Sequence, residues 1–317
     1  MKLLLAGGSG HVGQLLARAF VREGHQVVVL SRSGTSASGR GVKWDAATLG
    51  PWCAELEGAE AVVNLAGRSV NCRYSARTRA EILHSRVDST RVLGQAIARA
   101  ARPPRVWLQC CTATIYAHGY ELAHDEARGQ LGGREPGVPA SWRFGVEVGQ
   151  AWERTLEKAE TPLTRKLALR LAMVMSPDRG GIFDVLLGLV RRGLGGSSGD
   201  GRQYVSWIHH ADLVRAAHWL IEHEELSGVV NLSAPEPLPQ AEFMRELRAA
   251  WGTRLGLPAS KWMLEIGALF LRTETELVLK SRRVVPGRLL ERGFVFQHPR
   301  WPEAARELCA AFRAGRA

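Results

Sequence analysis

The chain opens on an unbroken apolar run, Leu3, Leu4, Leu5 and Ala6, with no polar alternation. Such a run predicts a short strand buried on both faces, as in a parallel sheet. After a glycine-rich stretch the spacing changes. Val12, Leu15, Leu16, Ala19 and Phe20 fall on one face of a helix, which Gly24 stops. Gln26–Ser31 (QVVVLS) is apolar again and predicts a second strand. The alternation continues with a short strand at 42–45, a short helix at 49–56 and a buried strand at 60–64. A long helix follows at 75–102, with Ile82, Val87, Val92, Leu93, Ala96 and Ile97 on its apolar face and Pro103-Pro104 ending it. Then come a strand at 105–111, a Gly/Pro-rich loop at 129–139, a helix at 142–160 and a strand at 167–174. Strands alternating with helices predict an α/β fold, a Rossmann-type doubly wound parallel sheet.

Beyond residue 175 the pattern loosens. The stretch 180–201 holds eight glycines. Strands are expected at 204–208 and 229–232, with a helix at 212–222 between them, and the chain from Pro239 onward looks mostly helical. The expected division is a nucleotide-binding domain at 1–233 and a small, mostly helical C-terminal domain at 234–317. Residues 176–204 are expected to join the second, substrate-side lobe. No internal repeat or low-complexity tract stands out.

The turn between the first strand and helix carries the first chemistry. In GGSGHVG, Gly7, Gly10 and Gly13 are spaced three apart, followed by a helix start at His11 and Val12. Glycines at the first two places allow a tight turn and close approach of backbone N–H groups to a pyrophosphate, and the third lets helix and strand pack closely. The phosphates would then sit at the positive end of the helix. A glycine triplet alone is a weak signal; between a strand and an amphipathic helix it points to a dinucleotide site. The end of the second strand refines this. An NAD-selective site would place an acidic residue there to bind the ribose 2′-hydroxyl. This chain has Ser31-Arg32-Ser33, and a guanidinium flanked by hydroxyls suits a 2′-phosphate. NADP(H) is therefore favoured over NAD(H). The small residues of the stretch 64–67 (Asn64, Ala66, Gly67) end a strand where open sheets leave room for a ligand.

Composition narrows the classes. No apolar run reaches the roughly 20 residues a membrane helix needs, and with the first strand starting at once no cleavable leader is expected. A cytoplasmic location is expected. Five cysteines, odd in number and without Cys-x-x-Cys spacing, point to reduced thiols, and no metal-ligand motif accompanies the lone pair His209-His210. The formal net charge is +11, but the arginines are scattered singly or in short pairs such as Arg191-Arg192 and Arg282-Arg283. With no dense basic arm, nucleic-acid binding is not expected.

Together GGSGHVG, NLAG at 64–67, TATIY at 112–116, LRLAMV at 169–174 and SWIHHADL at 206–213 resemble the extended short-chain dehydrogenase/reductases. Three further stretches look like one atypical branch, the "epimerase family protein" group. They are ILHSRVDSTRVL at 82–93, GLGGSSGDGRQYVSWIHHADL at 193–213 and SRRVVPGRLLERGFVF at 281–296, the last resembling that branch's C-terminal domain. The resemblance implies a Rossmann fold that binds NADP(H) or NAD(H); Arg86 on the long helix could reach the cofactor or stand as a solvated helix arginine, and Met173 on the strand at 167–174 is expected near the cofactor. It also implies a tyrosine acid/base with a lysine four residues on, since a nearby cation turns a weakly acidic phenol into a usable base. Residues 74, 116, 120 and 204 are the tyrosines, and none is followed by lysine at that spacing. By position Phe144 and Val148 stand in the tyrosine and lysine places. What remains is Thr112, at the place of the superfamily's catalytic serine or threonine, and Tyr116 as a substitute proton donor. Thr112 reads equally well as a strand-end cap, and Tyr116 as a packed aromatic. Two long helices, at 75–102 and 142–160, are the ones through which the superfamily often dimerises, so a homodimer is one arrangement the resemblance allows.

Two functions stay open at this stage. One is an NADP(H)-dependent oxidoreductase or epimerase-like enzyme acting on a small-molecule substrate without Tyr-x-x-x-Lys. The other is a dinucleotide-binding regulatory or sensor protein with little or no turnover.

Overall fold

The computed structural model describes residues 1–260 and 276–315. Seven parallel strands form the central sheet. They are β1 (Lys2–Ala6), β2 (Gln26–Ser31), β3 (Arg40–Lys43), β4 (Ala61–Asn64), β5 (Val106–Thr112), β6 (Arg165–Leu171) and a last strand, Gly228–Leu232. Their spatial order is β3-β2-β1-β4-β5-β6 and then Gly228–Leu232 at the far edge. Leu4 of β1 is registered against Val28 of β2 and Val62 of β4. The apolar runs read from the sequence are therefore sheet strands covered on both faces. Leu3, Leu5, Val27 and Val29 pack under helix α1 (His11–Arg22) and the helix His210–Glu222. Leu4, Ala6, Val28 and Val62 pack under α2 (Ala76–Arg99) and α3 (Arg143–Glu157).

Helix α2 starts where its sequence provides a cap: the Ser75 side chain accepts a hydrogen bond from the Thr78 N–H. The expected short helix at 49–56 is a 3-10 helix, Pro51–Leu56, and the third strand lies slightly earlier than expected, at Arg40–Lys43. The single strand expected at 167–174 is two. At Ala172 the backbone leaves the main sheet, and Met173–Met175 pairs instead with Trp207–His209 in a separate two-stranded ribbon. That ribbon leads into a further core built from Met175, Phe183 and Leu187, from Phe243 and Leu247, and from Trp301 and Leu308 of the C-terminal helix Trp301–Ala314.

The strand order reverses between β1 and β4. Successive crossovers run from β1 outward to β3, then return to place β4 on the other side. In open α/β sheets the crevice at the carboxyl ends of the strands flanking such a reversal is where ligands bind. Here those ends carry Gly7 and the stretch 64–67.

Candidate functional site at the strand reversal

Gly7 turns the chain with φ +74°, a left-handed conformation that side chains disfavour. A Cβ there would stand 2.7 Å from the backbone N and Cα of Ala66. The turn and the β4 loop are thus in backbone contact. Gly13 serves a different contact: its Cβ would meet the Gly8 backbone at 2.4 Å, so helix α1 rests on the turn that feeds it. Gly10, the N-cap, has nothing nearer than 3.7 Å, donates no side-chain cap and is followed by no acidic residue in the first turn. The first-turn N–H groups of His11, Val12 and Gly13 have no intrahelical acceptor and face this opening, the arrangement that receives a phosphate. The His11 ring itself lies against Gly181, and burial lowers its pKa, so it is neutral.

At the end of β2, Ser31 is buried and its Oγ donates to the Thr35 carbonyl at 2.9 Å, while Ser33 and Thr35 hydroxyls are 2.7 Å apart. These bonds fold the 31–35 loop back on itself and leave Arg32 exposed, with no carboxylate partner among the described residues. At the end of β4, Asn64 is fully buried. Its Oδ1 accepts from the Ala66 N–H at 3.1 Å and its Nδ2 donates to Gln109 Oε1 at 3.1 Å, which fixes the loop against Gly7. Gly67 is exposed, and the Arg86 guanidinium lies 3.1 Å from where its Cβ would be. Arg86 donates to the carbonyls of Arg68 and Ile82, both at 3.0 Å, and stacks 5.0 Å above the Trp152 ring. Burial pulls its pKa down, and no ion pair among the described residues offsets that.

The carboxyl end of β5 carries Thr112, whose Oγ1 accepts from the Thr114 N–H at 3.1 Å and caps a short 3-10 turn, Ala113–Ile115. Two glycines of α3 face this turn. A Cβ on Gly149 would touch Thr112 Cγ2 at 3.2 Å, and one on Gly145 would touch Thr114 Cγ2 at 3.3 Å. Phe144 and Val148, in the tyrosine and lysine places, point elsewhere. Both are buried against Ile82 of α2, with Phe144 edge-on to Tyr74 at 5.0 Å. Met173, half-buried, packs on the second core.

Tyr116 cannot serve as the substitute proton donor. Its ring is 0% exposed, stacked on His124, and its hydroxyl donates to Asn231 Oδ1 at 2.8 Å. Burial raises the phenol above its ordinary pKa, so the group is both sealed and reluctant to ionise. Of its two readings the packed aromatic is the one the geometry gives.

The turn is instead met by charged groups from the C-terminal segment. Lys280 Nζ donates to the Thr114 carbonyl at 2.8 Å, and Arg282 Nη1 reaches Thr114 Oγ1 at 3.4 Å. Glu276, 3.9 Å from Lys280 Nζ, lies against Gly145. Sequence reasoning missed these residues. Their one signal was position: Arg282 lies within the stretch 281–296, Glu276 and Lys280 stand just before it, and Lys280 is one of only six lysines in the chain. His209, by contrast, uses both ring nitrogens internally. Nδ1 accepts from the Ala211 N–H at 3.2 Å, and Nε2 faces Glu307 at 2.8 Å.

Comparison with known proteins fits this layout. Residues 3–233 match the model of the NAD dependent epimerase/dehydratase family, and residues 259–308 match a domain of unknown function, DUF1731. The human epimerase family protein SDR39U1 is 30% identical over 315 residues, covering 98% of this chain and 100% of the relative. The Bacillus subtilis epimerase family protein YfhF is 25% identical and covers 94% of each. Among solved structures, the human SDR39U1 crystal structure with NADPH superposes with a TM-score of 0.84 at 29% identity, covering 98% of this chain and 99% of that one. A nucleoside-diphosphate sugar epimerase from Corynebacterium glutamicum superposes at 0.72 with 25% identity, over 98% of this chain and 58% of that one. With a matching model over most of its length, a sheet reversed at the glycine turn and a full-length relative at 30% identity, this chain belongs to the NAD dependent epimerase/dehydratase family.

Proposed function

We propose that the protein is an NADP(H)-dependent oxidoreductase that reduces or oxidises a small polar carbonyl or alcohol without a Tyr-x-x-x-Lys pair. The observation that carries this reading is the polar lining of the β5 turn. Where the tyrosine and lysine are lost, Thr112 and Thr114 are met by Gly145, Gly149, Lys280 and Arg282, while Phe144 and Val148 are packed away into the α2 interface. A site retired to mere cofactor storage would be expected to fill with the apolar side chains that replaced its catalytic pair.

The roles follow from the geometry. The open first turn of α1 (His11, Val12, Gly13), reached through Gly7 and Gly10, would hold the pyrophosphate. Arg32, with Ser31 and Ser33 beside it, would hold the 2′-phosphate, consistent with the NADPH in the human relative's crystal structure. Asn64, Ala66 and Gly67 would form the floor beneath the ribose, and Arg86, desolvated over Gly67 without a counter-ion among the described residues, would supply the cation that the missing lysine gives elsewhere. Met173 would border the nicotinamide. The bound cofactor supplies or accepts the hydride. Thr112 would polarise the substrate carbonyl by donating a hydrogen bond from its hydroxyl, since its Oγ1 already accepts from Thr114 and its O–H remains to be directed.

The test is a fluorescence titration with NADPH and NADH, followed by stopped-flow oxidation of bound NADPH against a panel of carbonyls. The reading requires tighter NADPH than NADH binding, and a carbonyl whose reduction Thr112→Ala slows while cofactor affinity stays unchanged. Tight NADPH binding with no accelerated oxidation by any carbonyl would move the protein to the binding or sensor class.

A further inference from the structure

The C-terminal segment places a buried ionic pair at the turn that carries Thr112. The Lys280 side chain is 1% exposed and that of Glu276 is 3% exposed. Two ionisable groups taken this far out of water are expensive to bury, and replacing such a pair by apolar residues usually costs a fold nothing. The pair also makes poor use of its donors for a purely structural lock. Lys280 Nζ spends one N–H on the Thr114 carbonyl at 2.8 Å, and Glu276 at 3.9 Å is an ion pair too long for a hydrogen bond. Two ammonium N–H groups therefore lack an acceptor among the described residues, two residues along the chain from Thr112.

We propose that Lys280, paired with Glu276, is the proton-transferring group of this site and takes over the task of the absent tyrosine. The proposal rests on the carbonyl-reducing reading above. As hydride reaches the carbonyl carbon, the C=O π pair moves onto oxygen. That oxygen takes a proton from Lys280 Nζ: one N–H bond breaks and one O–H bond forms. The amine is left neutral beside Glu276 and regains its proton from solvent once product leaves. The reverse direction uses the neutral amine as base. Glu276 stands 3.9 Å from the amine, and Arg282 Nη1 reaches Thr114 Oγ1, two residues on from Thr112.

The electrostatics suit the task. Burial pulls Lys280 from its ordinary value down to about 8, against the opposing pull of Glu276 and Glu135 and with the help of Arg282. His118 and His124 also face it, and burial lowers both, so they are neutral at this pH. A group that titrates near the working pH can both give and take a proton.

The experiment uses the full chain with NADPH and phenanthrenequinone as the carbonyl probe, and NADPH oxidation is followed by stopped flow across the pH range on either side of about 8. NADPH oxidation should fall as pH rises through about 8, and Lys280→Gln should lose that limb and most of the rate while binding NADPH normally. Lys280→Arg, which keeps the charge but cannot deprotonate, should bind NADPH and stay slow. A Lys280→Gln variant with wild-type rate and pH limb overturns the proposal alone. A wild-type protein that binds NADPH but reduces no carbonyl overturns it together with the oxidoreductase reading, and absent NADPH binding overturns the cofactor assignment itself.

Discussion

The Ala66 backbone occupies the space that a side chain on Gly7 would need: a Cβ there would lie 2.7 Å from the Ala66 Cα. The close approach joins the two loops on either side of the strand reversal, and φ +74° adds strain of its own for any other residue. Gly7→Ala should therefore destabilise the fold by about 1–3 kcal/mol and open the phosphate-binding turn. Urea unfolding followed by NADPH titration checks both. Gly10→Ala, with open space around its Cβ site, should cost far less stability yet still weaken NADPH by crowding the phosphates.

Arg32 is exposed at the end of β2, beyond the Ser31–Thr35 hydrogen bonds that shape its loop. Arg32→Ala should weaken NADPH by about 10- to 100-fold, the worth of a charge-assisted contact of roughly 1.5–3 kcal/mol. NADH, which lacks the 2′-phosphate, should bind the variant as it binds the wild type. Parallel fluorescence titrations measure the ratio; equal losses for both nucleotides would remove Arg32 from the 2′-phosphate site.

How far the sequence reveals this architecture depends on what each signal encodes. Strands β1, β2, β4 and β5 were legible because burial on both faces leaves no polar position, and the glycine turn because one backbone geometry demands those residues. The break at Ala172 was not. LALRLAMV is apolar but for Arg170, and nothing in that run marks the point at which its hydrogen bonds pass from the main sheet to Trp207–His209. The Lys280–Thr114 contact was hidden for a different reason. It joins residues 166 positions apart, and such a pairing leaves no local period in either partner. Tyr116 was read two ways because TATIY fits both a core and a site; its hydrogen bond to Asn231 decides the matter, and that partner is equally remote.

His209 offers a test at acid pH. Burial beside His210 and His298 drops its pKa from 6.5 to about 2, so the folded protein keeps the ring neutral. Its Nδ1 caps the following helix by accepting from the Ala211 N–H, a bond that protonation abolishes. Between about 2 and 6.5 the unfolded chain binds this proton and the folded one does not. Stability contributed by His209 is therefore complete above the unfolded value and falls as pH drops below it, with a limiting slope of about 1.4 kcal/mol per pH unit. His209→Asn keeps a capping side chain that does not titrate. Urea unfolding of both proteins from neutral pH down to pH 4 should show the wild type losing stability faster, and parallel curves would remove His209 from the account.

Restoring the superfamily's catalytic pair should fail, and the reason lies in α3. The residues in the tyrosine and lysine places, Phe144 and Val148, face α2, where Phe144 meets Tyr74 edge-on and the Arg79 guanidinium lies 4.9 Å over the Phe144 ring. The helix face that meets Thr112 and Thr114 is instead Gly145 and Gly149, with no room for a larger residue. Val148→Lys would set an ammonium in an apolar cluster already flanked by Arg79. An uncompensated buried charge costs on the order of 3–5 kcal/mol. Phe144→Tyr should be milder, since the added hydroxyl stands near Tyr74 and Arg79. The double variant should therefore be destabilised in urea by about the cost of the lysine alone, bind NADPH no better than the wild type and reduce carbonyls no faster. If it gained turnover instead, residues 144 and 148 would have to reach the β5 turn. The assignment of proton transfer to the C-terminal segment would then lose its premise, because the ordinary pair would still have a place to act.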